Sequence, residues 1–389
     1  MKLWKRLALG FALATMIAAP AIADETQGVT DDTIKIGIIG PMTGSAAIFG
    51  KSVFGLEALY KQANDNGGIN GRKIELVRED SACDPSRGIA AAKKLMAQDK
   101  VFMIHGAACS GVALAMKPEI VKDGIPYVIM SAASAAISTP AERNIFHPVP
   151  TTVTVANTMV DFVMSRGDIT KVAVVAHSDE WGKSNRDPAV ARLKEEYGLD
   201  PIVDLTLERG QTDATPQVLQ VRESGAQAVI GMLYPAEMAI FLRDSFKYGV
   251  RPPTFGNMAI SLNDARDRVG NPEAASNLFA FSPFAHATDS EEMKEWAALI
   301  NKYYPDERVE NFSYLGMGGT VAVIEALKRA GRDLTRQSFI DAMNDIKDFD
   351  TGILSANLTF SPEDHVGLRG GAMSRLGEGG ILVLKTWAE

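Results

Sequence analysis

The sequence predicts an α/β protein made of two doubly wound, Rossmann-like lobes, each with a parallel central sheet. Three observations lead to this prediction. Short β-branched runs alternate with longer amphipathic segments along most of the chain. The alternation restarts near residue 171, so the same pattern occurs twice, and corresponding strands of the two halves lead into comparable loops. A repeated β-α rhythm is typical of parallel sheets that carry helices on both faces.

The first half of the chain supplies four predicted strands. "TIKIGIIG" (33–40) has the pattern of a buried strand, and the helical segment "SVFGLEALYKQANDNGG" after it ends at glycines. "KIELVRED" (73–80) is the second strand, followed by the helical "SRGIAAAKKLMAQ". "VFMIHG" and "PYVIMS" complete the series.

The second half repeats this order with "KVAVVAH" (171–177), a helix over 183–197, "IVDLTLE", a helix near 214–224, "AQAVIGML" and "PTFGN". Its loops match those of the first half. "FGKS" (49–52) corresponds to "WGKS" (181–184), "AACSG" to "YPAEM", and "SAAS" (131–134) to "NMAIS" (257–261). Open parallel sheets bind ligands at the carboxyl ends of their strands. The repeat therefore predicts a site in a cleft between the lobes, lined by these loops.

The N-terminus has the pattern of an export signal over residues 1–23. Lys2, Lys5 and Arg6 supply positive charge, an apolar stretch follows, and "AIA" (21–23) resembles a cleavage site. The alternative is a membrane anchor, but the apolar stretch is shorter than the roughly 20 residues that span a bilayer. The mature protein is therefore predicted to be exported, with no membrane insertion after signal removal.

The charge of the mature chain argues against two classes of partner. Without the signal, 37 basic residues face 48 acidic ones, which makes the net charge −11. Nucleic-acid binding needs a basic surface, so no nucleic-acid partner is expected. Attachment to an anionic membrane surface is disfavoured for the same reason. The 366 mature residues suit about two domains of roughly 150 residues.

Two cysteines, Cys83 and Cys109, are present in this predicted exported chain. One disulfide is the simplest arrangement, and two free buried thiols are the alternative. A zinc site is not expected, because the five histidines form no HExxH motif and no pair at ligand spacing. No other metal and no cofactor is expected.

The motifs that resemble catalytic or nucleotide sites are incomplete. "FGKS" and "WGKS" end like a phosphate-binding loop, but Ser45 and His177 stand where its first glycine is needed. "GAACSG" lacks the spacing of a serine nucleophile elbow, and a disulfide would remove the Cys109 thiol as a partner for His105. The chain is therefore not predicted to be an enzyme.

What remains is a binding cleft with aromatic and small residues. Phe49 and Trp181 fall in matching loops of opposite lobes, and Tyr234 lies in another matching loop. Either of the first two aromatics could instead belong to the core. Ser110 and Ser134 lie in loops of small residues, where hydroxyl and backbone N–H donors at helix starts suit a carboxylate ligand.

With these residues, the chain resembles the periplasmic branched-chain amino-acid-type (leucine/isoleucine/valine-binding-protein-like, type I) solute-binding proteins of ABC transporters. The resemblance covers nearly the whole mature chain, from "IKIGIIGPMTG" through "NDNGGINGRKIELVREDSACDPSRG" to the C-terminal strands, with "GGINGRKIEL" and D-x-x-C-D-P as its most specific parts. It implies a type I periplasmic binding protein fold with a three-crossing hinge, a periplasmic location, ABC transporter permease subunits as partners, and a monomer. It also implies that Cys83 bonds to Cys109.

The resemblance implies roles for eight residues. By this resemblance, Ser110 holds the ligand carboxylate. An "AAT"-like motif that also contacts the ligand corresponds to Ala132, Ala133 and Ser134. The aromatic residue before the glycine of the first loop corresponds to Phe49. The cross-cleft aromatics correspond to Trp181 and Tyr234, and the position of a ligand-pairing glutamate corresponds to Met258. The expected hinge crossings near Pro148, Ser282 and Asp348 divide the chain into lobe 1 (24–147 plus 283–347) and lobe 2 (148–282 plus 348–389).

Met258 is the departure from the family pattern. Members that bind α-amino acids place a glutamate there to pair with the ligand ammonium, and burying an ammonium without a carboxylate costs several kcal/mol. Asp179, Glu180 or Glu237 could substitute. A methionine instead offers a soft surface against a ring. The hypothesis is therefore a small carboxylate without an α-amino group, of the benzoate or phenylpropenoate type.

The predicted mechanism is hinge closure, with ligand shifting the open–closed equilibrium through contacts to both lobes. The alternative ligands are branched-chain or other amino acids. The alternative class is a periplasmic sensory receptor subunit. Whether Arg186, Arg209 or His105 reaches the cleft is left open by the sequence.

Overall fold

The computed structural model describes residues 25–388, and the predicted export signal lies outside them. Five strands of the described chain form a parallel sheet in the order β2-β1-β3-β4-β5. Their bounds are Thr33–Gly40 (β1), Lys73–Asp80 (β2), Met103–Gly106 (β3), Tyr127–Ile129 (β4) and Ile145–Phe146 (β5).

Seven further strands within residues 25–388 form a second sheet in the order β12-β11-β10-β9-β8-β6-β7. Their bounds are Val172–His177 (β6), Val203–Leu207 (β7), Ala228–Met232 (β8), Thr254–Gly256 (β9), Leu278–Ser282 (β10), Gly370–Gly377 (β11) and Gly380–Ala388 (β12). The two sheets confirm the predicted α/β class with two lobes.

Helices separate most consecutive strands, as the alternating pattern predicts. In the first part of the chain they are Lys51–Asp65 (α1), Pro85–Ala97 (α2), Ser110–Asp123 (α3), Thr152–Met164 (α4), Glu180–Tyr197 (α5) and Thr215–Ser224 (α6). The later ones are Pro235–Lys247 (α7), Leu262–Val269 (α8), Pro272–Ala275 (α9), Glu291–Tyr303 (α10), Asn311–Ala330 (α11) and Arg336–Asn344 (α12). No helix within residues 25–388 combines the length and apolar character that a membrane span needs.

The second sheet differs from the prediction at its C-terminal edge. Strands β6 to β10 are parallel, but β11 runs antiparallel to both β10 and β12. Only two residues separate β11 from β12. A connection this short forms a hairpin, whereas a parallel pair needs a crossover of a dozen or more residues.

The chain passes between the two sheets three times. It leaves the first sheet after β5, returns from the second after β10, and enters the second again at β11. Before the last passage, the segment 345–369 stays beside the other two crossings, because Leu354 bridges to Phe284 and Val366 to His147. The exact lobe boundaries at 147/148, 282/283 and 347/348 stay a prediction.

Two glycines allow α1 and α11 to cross in close backbone contact. A Cβ atom on Gly55 would lie 1.9 Å from the carbonyl oxygen of Ser313, and one on Gly316 would lie 1.9 Å from that of Ser52. The crossing places the N-terminal ends of both helices side by side. As a result, the rings of Phe49, just before α1, and Phe312, in the first turn of α11, have centroids 4.9 Å apart.

A disulfide joins Cys83 to Cys109, with Cα atoms 5.7 Å apart. Cys83 lies in the loop before α2, and Cys109 is the N-cap residue of α3. The bond therefore ties the start of α3 to the neighbouring β2–α2 loop. This covalent link holds the helix end that carries Ser110.

Candidate ligand-binding site between the lobes

A small cavity lies between the lobes, at the carboxyl ends of their strands. Its walls come from six strand-end loops or helix starts and from the first turn of α11. The lining residues are Phe49, Ala108, Cys109, Ser110, Ser131, Trp181, Tyr234, Met258, Ala259 and Phe312.

The eight residues predicted from the sequence fall into two groups. Five of them line the cavity directly: Phe49, Ser110, Trp181, Tyr234 and Met258. The other three, Ala132, Ala133 and Ser134, are each only 1 % exposed and stand behind Ser110. Two of these act through the backbone, since the Ser110 Oγ accepts hydrogen bonds from the N–H groups of Ala133 (3.4 Å) and Ser134 (3.2 Å).

Polar donors gather on the first-lobe side, around the N-terminus of α3. This helix end has no side-chain cap, so its first backbone N–H groups have no side-chain acceptor. The Ser110 hydroxyl accepts two hydrogen bonds and keeps its own proton for donation. Backbone N–H groups at a helix start and the helix dipole together favour a bound anion. This side of the cavity can therefore hold a carboxylate.

Aromatic rings form the opposite side. Trp181 stacks on Tyr234, with centroids 4.3 Å apart and an interplanar angle of 16°. Phe49, from the other lobe, meets Tyr234 at 5.0 Å. Because this last contact crosses the cleft, the structure represents a closed arrangement of the lobes.

Sequence reasoning missed five lining residues. Ala108, Cys109, Ser131 and Ala259 are chain neighbours of predicted residues, so the strand-end pattern could have included them. Phe312 carries no such signal. It begins a helix that follows no strand, and it reaches the cavity only because α11 crosses α1.

None of the described residues that line the cavity carries a charge. Of the three acids considered as partners for a ligand ammonium, Glu180 is exposed. Glu237 is 3 % exposed and accepts a hydrogen bond from the Gly210 N–H (2.9 Å). The remaining acid, Asp179, is bound to protein groups at the edge of the cavity.

The Asp179 carboxylate makes four contacts. Its Oδ2 accepts from the Tyr234 hydroxyl (2.9 Å) and from Arg209 (2.8 Å), and its Oδ1 accepts from the Gly182 N–H (2.9 Å) and lies 3.2 Å from His177 Nδ1. Burial alone would raise the pKa of this carboxyl. The contacts with His177, the Gly182 N–H and Arg209 outweigh burial and hold the pKa well below its usual value.

The three residues whose roles the sequence left open have different surroundings. Arg209 pairs with Asp179, and its guanidinium carbon lies 4.7 Å from the centroid of the Tyr234 ring. Arg186 pairs with Asp204 and Asp187 away from the cavity. His105 is fully buried in β3, where its Nδ1 lies 2.9 Å from the Tyr60 hydroxyl. Among the described residues, no group of three or more acids, histidines or cysteines is placed to hold a metal ion.

Buried histidines are expected to make the protein less stable in acid. Burial lowers the pKa of His105 to about 3 and that of His147 to about 4. Unfolded histidines have a pKa near 6.5, so below that pH the unfolded chain binds protons that the folded chain refuses. Stability is therefore complete above about pH 6.5 and falls as the pH decreases toward 4. Between pH 7 and 5 each histidine should cost about 2 kcal/mol, measured by urea unfolding.

A pair of variants tests whether His105 causes this loss of stability in acid. His105→Asn keeps an acceptor for the Tyr60 hydroxyl but cannot be protonated, so the fall in unfolding free energy between pH 7 and 5 should become smaller by about 2 kcal/mol. His286→Gln replaces an exposed histidine and should leave the fall unchanged. If both variants had the same pH dependence of stability, His105 would not be a source of the loss in acid.

Two doubly wound lobes that enclose a cavity at the ends of their strands define a receptor for a small solute. The chain belongs to the periplasmic binding protein family, whose pattern matches residues 33–380. Its family and fold are those of solute-binding proteins. The family resemblance predicted from the sequence is confirmed.

Relatives with named ligands differ from one another. Leu/Ile/Val-binding protein homolog 7 of Brucella abortus (strain 2308) is 27% identical over 337 residues, which cover 83% of this chain and 82% of the relative. The substrate-binding protein LivJ from Streptococcus pneumoniae in complex with isoleucine superposes with a TM-score of 0.78, at 20% identity, over 92% of this chain and 99% of that one. A solute-binding protein from R. palustris in complex with 4-hydroxybenzoate has the same TM-score and identity, over 92% and 98%. At such identities the two structures show the fold alone.

Proposed function

We propose that this protein binds a small aromatic carboxylate, of the benzoate or phenylpropenoate type, in the interlobe cavity and delivers it to the permease of an ABC importer. The observation that supports this most is the division of the cavity into two unlike halves. One half offers anion donors at the start of α3, and the other offers aromatic rings and Met258 without any charge. The first half suits a carboxylate and the second suits a flat ring.

The same division disfavours an α-amino acid. An ammonium group buried in this cavity would need a carboxylate partner to offset several kcal/mol of lost hydration. Met258, only 3 % exposed, occupies the position where the resemblance expects that carboxylate. Asp179 is already paired with Arg209, and Glu237 already accepts a backbone hydrogen bond.

Closure provides the binding mechanism. Ligand held by Ser110 in the first lobe also contacts Trp181 and Tyr234 in the second, so it stabilises the closed arrangement over the open one. We infer that the closed, loaded form is recognised by the permease. We further infer a periplasmic location after removal of residues 1–23, a monomeric state, and release of the ligand unchanged.

Amino acids are the second candidate, favoured by the Leu/Ile/Val-binding name of the Brucella relative. Calorimetric titration of the purified protein with 4-hydroxybenzoate, 4-coumarate and leucine separates the two. We expect the aromatic acids to bind in the micromolar range or tighter and leucine to give no heat of binding. Micromolar leucine binding without a response to either aromatic acid would refute the proposal. Mass spectrometry of ligand released from natively purified protein gives an independent answer.

A further inference from the structure

A carboxylate stands at the edge of the cavity, but a cation covers it. Asp179 is the N-cap residue of α5, two residues before the stacked Trp181. Among residues 25–388, it is the acid that hydrogen-bonds to a side chain of the cavity wall, through the Tyr234 hydroxyl at 2.9 Å. Arg209 reaches it from the loop after β7 and donates to the same Oδ2 at 2.8 Å.

The position of Asp179 does not depend on Arg209. Its Oδ1 accepts a hydrogen bond from the Gly182 N–H at 2.9 Å, and this bond caps the N-terminus of α5. Its Oδ2 accepts from Tyr234 independently of the guanidinium. Removal of the arginine would therefore leave a carboxylate that is still oriented, with the His177 ring, 3.2 Å from its Oδ1, as the remaining ionisable neighbour.

Arg209 also lies against the ring of Tyr234, a residue of the cavity wall. Its guanidinium carbon lies 4.7 Å from the centre of the Tyr234 ring, the distance of a cation–π contact. The other aromatic neighbours of Tyr234 are Trp181 at 4.3 Å and Phe49 at 5.0 Å. A positively charged ligand group near this wall would meet the arginine's like charge.

We propose that Arg209 is a specificity-determining residue that excludes ligands with an ammonium group by neutralising Asp179 and covering Tyr234. This inference rests on the proposed function, because it concerns the end of the ligand that faces away from the carboxylate donors. It assigns the preference for an uncharged aromatic end to two residues together, Met258 and Arg209.

The test uses ligands that differ only at that end. 4-(Hydroxymethyl)benzoate and 4-(aminomethyl)benzoate share the ring and the carboxylate, and the second carries an ammonium group. We expect the wild-type protein to prefer the hydroxymethyl compound. In Arg209→Gln the ratio of the two dissociation constants, measured by calorimetry, should shift toward the ammonium compound by at least about tenfold, as expected for a newly available charge partner.

Two variants separate this role from a structural one. In the double variant Asp179→Asn with Arg209→Gln, the shift should disappear, because no carboxylate remains. Arg186→Gln removes an arginine of the same lobe that pairs outside the cavity, and it should leave the ratio unchanged. An unchanged ratio in Arg209→Gln, or a shift that persists in the double variant, would overturn the inference.

The outcome can be read even if the proposed function fails. If the wild-type protein binds neither benzoate, the proposed ligand class is wrong. Arg209→Gln is then tested with 4-hydroxybenzylamine, which needs no carboxylate donor. Binding of this amine by the variant, and not by the wild-type or double-variant protein, would support the role of Arg209, and no binding by the variant would refute it. Thermal unfolding of each variant checks that the fold is retained.

Discussion

Replacing Gly316 by alanine is expected to lower the free energy of unfolding by about 3 kcal/mol or more, or to prevent folding. The added Cβ would lie 1.9 Å from the Ser52 carbonyl oxygen in α1. No rotamer change relieves this clash, because both atoms belong to the backbone or are fixed to it. The helices would have to separate along their whole contact, and the packing of the first lobe would separate with them.

Urea unfolding followed by circular dichroism measures this effect. Gly111→Ala is the matched control, since Gly111 lies in helix α3 and an added Cβ there would meet no heavy atom within 4 Å. Alanine is the better helix former, so the control should be as stable as the wild-type protein or slightly more stable. Similar unfolding midpoints for the two variants would show that α1 and α11 can separate without cost.

This crossing also marks a limit of prediction from sequence. Strand β1 has the bounds predicted for it, because a buried parallel strand appears as a continuous apolar, β-branched run between loop signals. Strand β2, at the edge of the sheet, also has its predicted bounds. A glycine inside a helix has no comparable local meaning. Gly316 can be understood only from Ser52, more than 260 residues earlier in the chain.

The residues of the candidate site likewise separate into those that the sequence can predict and those that it cannot. Trp181 and Tyr234 are predictable because they follow strands, and the carboxyl ends of parallel strands meet at one edge of a sheet. Met258 is predictable from the family resemblance. Phe312 follows no strand and was missed. The role of Arg209 was undetermined, since its pairing depends on where two separate loops meet, and the sequence does not give their distance.

Replacing Trp181 by alanine is expected to weaken ligand binding by about a hundredfold, or about 2.8 kcal/mol, as for a buried aromatic contact. The indole forms part of the cavity wall and stacks on Tyr234 at 4.3 Å. Its loss would remove one ring surface from the ligand and free the second ring to turn away. Calorimetry with 4-hydroxybenzoate measures the change.

Controls distinguish a lost binding surface from a damaged lobe. Trp181→Phe keeps a flat ring and should retain affinity within about tenfold, because stacking depends mainly on ring overlap. Trp296→Ala removes a half-buried tryptophan of α10 that lies outside the cavity, and it should bind as the wild-type protein does.

Since closure requires contacts on both lobes, Trp181→Ala should also lose the ligand-induced rise in melting temperature while its ligand-free melting curve stays cooperative. Unchanged affinity in Trp181→Ala would exclude the indole from the site.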